Sequence, residues 1–507
     1  MKKIFILLLL ISVPLYAQRR DFSGIDYISA NDMLKTVEYL SSESLEGRAG
    51  GSIGYFLAAD YMAKEFLKLG LKPGVSNQIP KTTPYGNDDI QGRFNYKFFQ
   101  YFNVEYNDIT GPVKFNLIND NKIARKYKLG TDFICRGYTG TGYANAQVVF
   151  CGYGIADDEG GYNDYNNIDV NGKIVMVFKQ NPGWANGRYN NYSIRKKAWN
   201  AYDRGAVAII YVSLPNDKNP QKPIGSVMDG EEPHLSDFPM IHADLNAAED
   251  FVLKTRYTMK ELQTVIDEKK SPNSIELLTT AEIEINAKYK PDAYTVNVAA
   301  ILEGSDAQLK NEYIIISAHL DHVGQQAGEV YFPGANDNAS GSAAVLELAR
   351  AFSKGEKPKR SILFILYSNE ESGLQGSKFY AENPLVPLEN TVAAFNFDCI
   401  SYGDGITLGN GLSNPALWNL AKQTDSLYKG QSGNITWKGG GADLEHLYKK
   451  NIPGIYFVTT NSYAHLHLPS DKPETLNLSL YEDITKLAYL IISRVADGEY
   501  QKEEVLK

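Results

Sequence analysis

The spacing of hydrophobic positions changes along this chain, and the changes mark its elements. Within residues 31–72, Leu34, Val37 and Leu40 recur at helical intervals, with Asn31 or Asp32 placed to cap the first turn. The segment Ser44-Leu-Glu-Gly-Arg48-Ala-Gly-Gly51 interrupts that pattern. A second helix is predicted over roughly 54–69, ended by Gly70 and Pro73. Residues 75–97 are rich in Gly, Asn, Asp and Pro, the composition of a loop. From Phe98 to Leu262 short apolar runs (148–150, 173–178 and 207–212) alternate with turns, and a helix is predicted over 194–204. This stretch reads as a separate, β-rich insert.

From Thr295 onward strands and helices alternate. Strands are predicted at 295–302, 314–316, 360–367, 392–400 and 454–459, and helices at 339–353, 374–381, 415–428 and 478–496. Such alternation implies parallel pairing with helices on both faces of the sheet. The expected fold class is therefore α/β, a mixed, mostly parallel sheet with helices on both faces and an inserted β-rich domain. In open sheets of this kind ligands bind beyond the carboxyl ends of the strands. The runs 314–316 and 362–366 both end in residues able to hold a metal or move a proton.

Composition narrows the picture. A chain of 507 residues exceeds one ordinary core and implies at least two domains. A net charge of -9 argues against a broad nucleic-acid surface. Lys2 and Lys3, an apolar run over 4–13 and Ala17 form the pattern of a signal peptide over residues 1–17, too short to span a bilayer stably. The expected location is secreted or periplasmic, with no stable membrane insertion after cleavage. Three cysteines, Cys135, Cys151 and Cys399, make no disulfide framework, and pairing of Cys135 with Cys151 stays open. They are also too few to hold a metal, so any metal must be bound by His and carboxylates.

Those donors are concentrated at predicted strand ends and loops: His319 and Asp321, Asp337, Glu370 and Glu371, Asp398, then His465, His467 and Asp471. Singly, each has an ordinary structural explanation as a core histidine, a helix cap or a solvated acid. Together, in one domain, they point to a metal site.

The segments His319-Leu-Asp321, Gly334-Ala-Asn-Asp337-Asn-Ala-Ser-Gly341, Glu370-Glu371-Ser-Gly-Leu-Gln-Gly376, Asn396-Phe-Asp398 and His467-Leu-Pro-Ser-Asp471 resemble the co-catalytic dizinc aminopeptidase family. That superfamily includes leucyl-type aminopeptidases, aminopeptidase Y and glutamate carboxypeptidase. The resemblance implies two zinc ions bridged by Asp337, with His319 and Asp398 on one and Glu371 and His467 on the other. It implies Glu370 as general base, Asp321 as the group that orients His319, and a cis peptide between Asp337 and Asn338. Several members carry a tyrosine just before the last histidine ligand. Leu466 stands there in this chain, which leaves Tyr463 or His465 as candidate oxyanion or substrate groups.

Val148-Val-Phe-Cys-Gly-Tyr-Gly154, Gly172-Lys-Ile-Val-Met-Val177 and Ala201-Tyr-Asp-Arg-Gly205 resemble the protease-associated domain. The insert either shapes substrate access or is a passive spacer. The implied division is a peptidase part over 18–97, an insert over 98–285 containing the protease-associated domain at about 130–262, and the main peptidase domain over 286–507. The implied activity is an exopeptidase acting on peptides with a free N-terminus. A carboxypeptidase or dipeptidase on the same scaffold, a glutaminyl-cyclase-like transferase and a non-catalytic receptor-like homologue are the alternatives.

Overall fold

The computed structural model describes residues 22–75 and 96–507 apart from Asn191 and Asp229. The expected signal peptide and nearly all of the expected loop at 75–97 lie outside those residues. Among the described residues no helix is long and apolar enough to cross a membrane.

Helix α1 (Ala30–Leu40) buries Val37 and Leu40 of the expected stripe, with Met33 taking the inward place expected of Leu34, which is only partly buried. Helix α2 (Ile53–Lys68) starts where the Ser52 hydroxyl accepts from the Tyr55 amide at 3.1 Å. The strands then run β1 (Phe99–Asn119), β2 (Phe133–Cys135), β3 (Gly142–Phe150), β4 (Ile174–Phe178), β5 (Ala208–Val212), β6 (Met240–Ala243), β7 (Ile275–Leu302), β8 (Tyr313–His319), β9 (Ser361–Tyr367), β10 (Thr391–Phe397), β11 (Gly405–Gly409) and β12 (Gly454–Thr460). Between them lie α3 (Ile194–Tyr202), α4 (Gly341–Lys354), α5 (Gln375–Glu382) and α6 (Pro415–Tyr428), and α7 (Leu478–Ala496) follows.

In the C-terminal part β12, β10, β8 and β9 pair in parallel, flanked by antiparallel β11 and β7. Alternate residues of these buried strands serve opposite faces. Ile314, Ile316, Phe364 and Leu366 pack with α1, α2, α4 and α7, whereas Ile315, Leu363, Ile365 and Tyr367 pack with Tyr380, Leu444 and Leu447. The sheet therefore has helices on both faces, as expected.

The insert is joined to this core by two long antiparallel strands. Pairing of β1 with β7 runs from Phe99↔Val298 to Ile118↔Thr280. Beyond it β7 pairs with β3, and β3, β4, β5 and β6 form a second parallel set edged by β2. One sheet thus runs through both parts. The length of β7, 28 residues, exceeds the strand expected at 295–302. Its first half alternates buried Ala281, Ile283 and Ile285 with Glu282 and Glu284, a half-exposed pattern. Register shifts after Ile285 and Lys290 then break the period of two. Cys135, Cys151 and Cys399 are all buried and unpaired.

Candidate metal centre

The parallel strands deliver their carboxyl ends to one place. His319 ends β8, Glu370 and Glu371 follow β9, and Asp398 follows β10. Asp337 comes from the loop before α4, and His467 from the loop after β12. All six line one open cleft of about 500 Å³, together with Leu374, Ala442, Tyr456, Tyr463 and Leu466.

Asp337 is central. Its Oδ1 lies 3.4 Å from His319 Nε2, which is itself 3.4 Å from Asp398 Oδ1. Its Oδ2 lies 3.2 Å from His467 Nε2, which is 2.8 Å from Glu371 Oε2. Two donor groups result, one of His319, Asp337 and Asp398, the other of Asp337, Glu371, His467 and His322. In each group the donor atoms lie within 4.8 Å of one another. Imidazole nitrogens and carboxylate oxygens so gathered fit zinc.

Backbone hydrogen bonds hold these side chains from behind. The Asp471 carboxylate accepts from the amides of Asn336 at 2.9 Å and Asp337 at 3.0 Å, so it fixes the Asp337 loop. The peptide between Asp337 and Asn338 is cis. Arg48 is fully buried and donates to the carbonyls of Leu40, Leu320, Pro333 and Gly334, pinning both ends of the segment between His319 and Asp337. The Asp321 carboxylate accepts from the amides of Glu370 at 3.1 Å and Glu371 at 3.4 Å. His319 Nδ1 sits nearer the Asp321 carbonyl, at 3.2 Å, than its carboxylate, at 3.8 Å. Asp321 therefore touches the histidine chiefly through its backbone and the two glutamates through its side chain.

The electrostatics follow from many acids in little water. Burial alone lowers the pKa of His319 and His467, yet the neighbouring carboxylates raise both well above the usual imidazole value. Burial pushes Asp337 up, but bonds from His319 and His467 carry it well below the usual range. Burial and the Asp337 charge raise Glu371, while His467 and His322 hold it down at about 2. Burial, reinforced by Glu371 and Asp398, keeps Glu370 well above the usual carboxyl value. Burial lifts Asp321 to about 7. Such a carboxylate-rich cluster calls for compensating positive charge, which divalent cations supply.

Of the two candidate oxyanion groups, Tyr463 lines the cleft and is 55% exposed. His465 does not line it, and instead places Nδ1 2.9 Å from Ser470 Oγ. Two residues escaped the sequence reading. Tyr456 donates to Asp398 Oδ2 at 2.8 Å but looks like a strand residue of Gly454-Ile-Tyr-Phe. His322 lies in the donor group around His467. Its signal was present, one residue past Asp321 at the same strand end.

Residues 297–492 match peptidase family M28, and residues 144–251 match the PA domain. An aminopeptidase of Pseudomonas aeruginosa is 26% identical over 387 residues, 75% of this chain and 59% of that protein. The match thus spans under two thirds of that relative's length. Leupeptin-inactivating enzyme 1 of Streptomyces exfoliatus is 40% identical over 106 residues, 20% of this chain and 22% of that protein. Among solved structures, the aminopeptidase of Aneurinibacillus sp. strain AM-1 superimposes with a TM-score of 0.63 at 21% identity, covering 96% of this chain and 98% of that one. A zinc aminopeptidase of Bacillus subtilis gives 0.64 at 18% identity, over 95% and 98%. At such identities these two structures speak to the fold.

Proposed function

With its residues 297–492 belonging to peptidase family M28 and a PA domain at residues 144–251, the chain is, we propose, a dizinc aminopeptidase that removes residues from the free N-terminus of peptides. The observation that carries this reading is Asp337, whose two oxygens face different donor groups. Asp337 would bridge two ions, with His319 and Asp398 holding one and Glu371 and His467 the other. Two zinc ions in these groups would act as Lewis acids toward the scissile carbonyl and lower the pKa of a shared water.

The chain's own residues supply the rest. Glu370, in the cleft but outside both donor groups, takes the proton of the attacking water and returns it to the leaving amine. Asp321 fixes the backbone of Glu370 and Glu371 relative to His319. Tyr463 is the side chain placed to meet the developing oxyanion, and Tyr456 steadies Asp398. The acidic cleft suits a protonated α-amine, which accounts for a preference for one chain end. The division into a peptidase core at 18–97 and 286–507 and an insert at 98–285 fits the paired connections β1 and β7. Residues 1–17 mark the product for export.

The test joins metal analysis with a panel of aminoacyl-anilides, N-blocked peptides and peptides with blocked C-termini. Near two zinc per chain and cleavage only of substrates with a free amine are expected. Turnover of N-blocked peptides would favour a carboxypeptidase, and absence of metal with no turnover a receptor-like role.

A further inference from the structure

His322 is fully buried beside the metal cluster, yet the chemistry above gives it no task. Its Nδ1 lies 2.8 Å from Glu371 Oε1 and 3.7 Å from Asp337 Oδ2, and its ring stands edge-on to that of His467 at 5.5 Å. Its Nε2 is buried without a hydrogen-bond partner. Two roles compete for such a ring: ligand through Nδ1, or hydrogen-bond donor through Nδ1.

The unpartnered nitrogen decides between them. A histidine that gives its Nδ1 lone pair to a cation carries its proton on Nε2, and ligating histidines ordinarily hand that proton to an acceptor. His319 has this arrangement, with Nδ1 3.2 Å from the Asp321 carbonyl and Nε2 turned toward Asp337 and Asp398. His322 has no acceptor behind it. As a ligand it would bury a bare N–H, the rarer kind of orphan in folded proteins. With the proton on Nδ1 it donates to Glu371 and leaves only a lone pair unmet at Nε2. Glu371 Oε2 is meanwhile engaged on the other side, 2.8 Å from His467 Nε2.

We propose that His322 is a positioning residue: its Nδ1–H holds Oε1 of Glu371 so that Oε2 is the oxygen presented beside His467 and Asp337, and His322 does not itself bind metal. This rests on the dizinc reading.

The experiment uses the full chain and three substitutions. His322→Asn places an amide N–H about where Nδ1 lies, His322→Gln places one nearer Nε2, and His322→Ala removes the donor. Zinc per chain, zinc affinity by chelator competition and the visible absorption of the cobalt-substituted protein are read. The expected result is two ions in all variants, one of them bound about 10–100-fold more weakly in the Ala and Gln variants with a shifted cobalt band, and affinity and band restored in His322→Asn. Should the Ala variant fail to fold, the contrast between Asn and Gln carries the test. Loss of one ion from all three variants would make His322 a ligand and overturn the proposal, as would wild-type affinity in His322→Gln. A wild-type chain without two zinc ions would overturn the dizinc reading instead.

Discussion

The backbone amide of Gly225 donates to the carbonyl oxygen of His467 at 2.8 Å. Gly225 lies within the stretch that matches the PA domain and His467 in the candidate donor group, so the two parts of the chain meet beside the cleft. The contact is sheltered: Ile134, Val323 and Phe332 form a small buried cluster with Val227 packed on it. Gln326 adds a second link, accepting from the Cys135 amide at 2.9 Å and donating to its carbonyl at 2.8 Å.

A side chain at position 225 has no room. A Cβ there would come within 2.6 Å of Val323 Cγ2 and 3.0 Å of the Phe332 ring. Gly225→Val is expected to lift the loop from His467 and weaken zinc binding about 10-fold or more, the scale on which outer-shell support acts. Chelator competition measures it, and wild-type affinity would show that the contact does not support the site.

Asp337→Ala should weaken both zinc sites together, because one carboxylate serves both groups. His467→Ala should empty mainly one. Metal stoichiometry by mass spectrometry separates the cases, and two tightly held ions in Asp337→Ala would refute the bridge.

Glu370 and Glu371 are neighbours with different expected roles. Glu370→Gln keeps the shape and removes proton acceptance, so kcat should fall about 10²–10⁴-fold with zinc content unchanged. Glu371→Gln should lower zinc occupancy. Metal lost from the first variant and retained by the second would mean that the roles are exchanged.

The insert offers a test through pH. Lys179 is buried, and burial with Arg136 nearby pulls its ammonium from 10.5 to about 6. The unfolded chain holds that proton more tightly. Wild-type stability should therefore fall as pH drops from about 10.5 towards 6 and level off below. Lys179→Met lacks this slope, so it should gain on the wild type by about 2 kcal/mol or more across that window. Urea denaturation at several pH values checks it, and parallel stability curves would contradict it.

The C-terminal part of the fold was legible because its signals are local. Runs such as Ile314 to Ile316 and Ile362 to Leu366 are continuous and apolar, as strands buried on both faces must be. The helix at Leu478–Ala496 matched its periodicity end to end. Of the candidate donors in the cleft, His319, Glu370, Glu371 and Asp398 stood out because each sits where a strand runs out, and Asp337 and His467 because they lie in loops of the same domain. The long pairing of Phe99–Asn119 with Ile275–Leu302 was not, since it depends on partners more than 150 residues apart and its alternation is broken by register shifts. Tyr456 was hidden by its apolar neighbours. Arg48 looked like part of a polar break, and only the folded chain reveals that it grips carbonyls from Leu320, Pro333 and Gly334.

Asp471 has a consequence for the order of events during synthesis. Its carboxylate holds the amides of Asn336 and Asp337, 135 and 134 residues earlier in the chain. His467 arrives with it. A nascent chain emerging from its N-terminus can complete the insert, the sheet through β10 and the Glu370 region while the Asp337 loop still lacks its brace. The candidate donors therefore come together only after the segment carrying His467 and Asp471 has been synthesised, well behind the strands that carry the other donors.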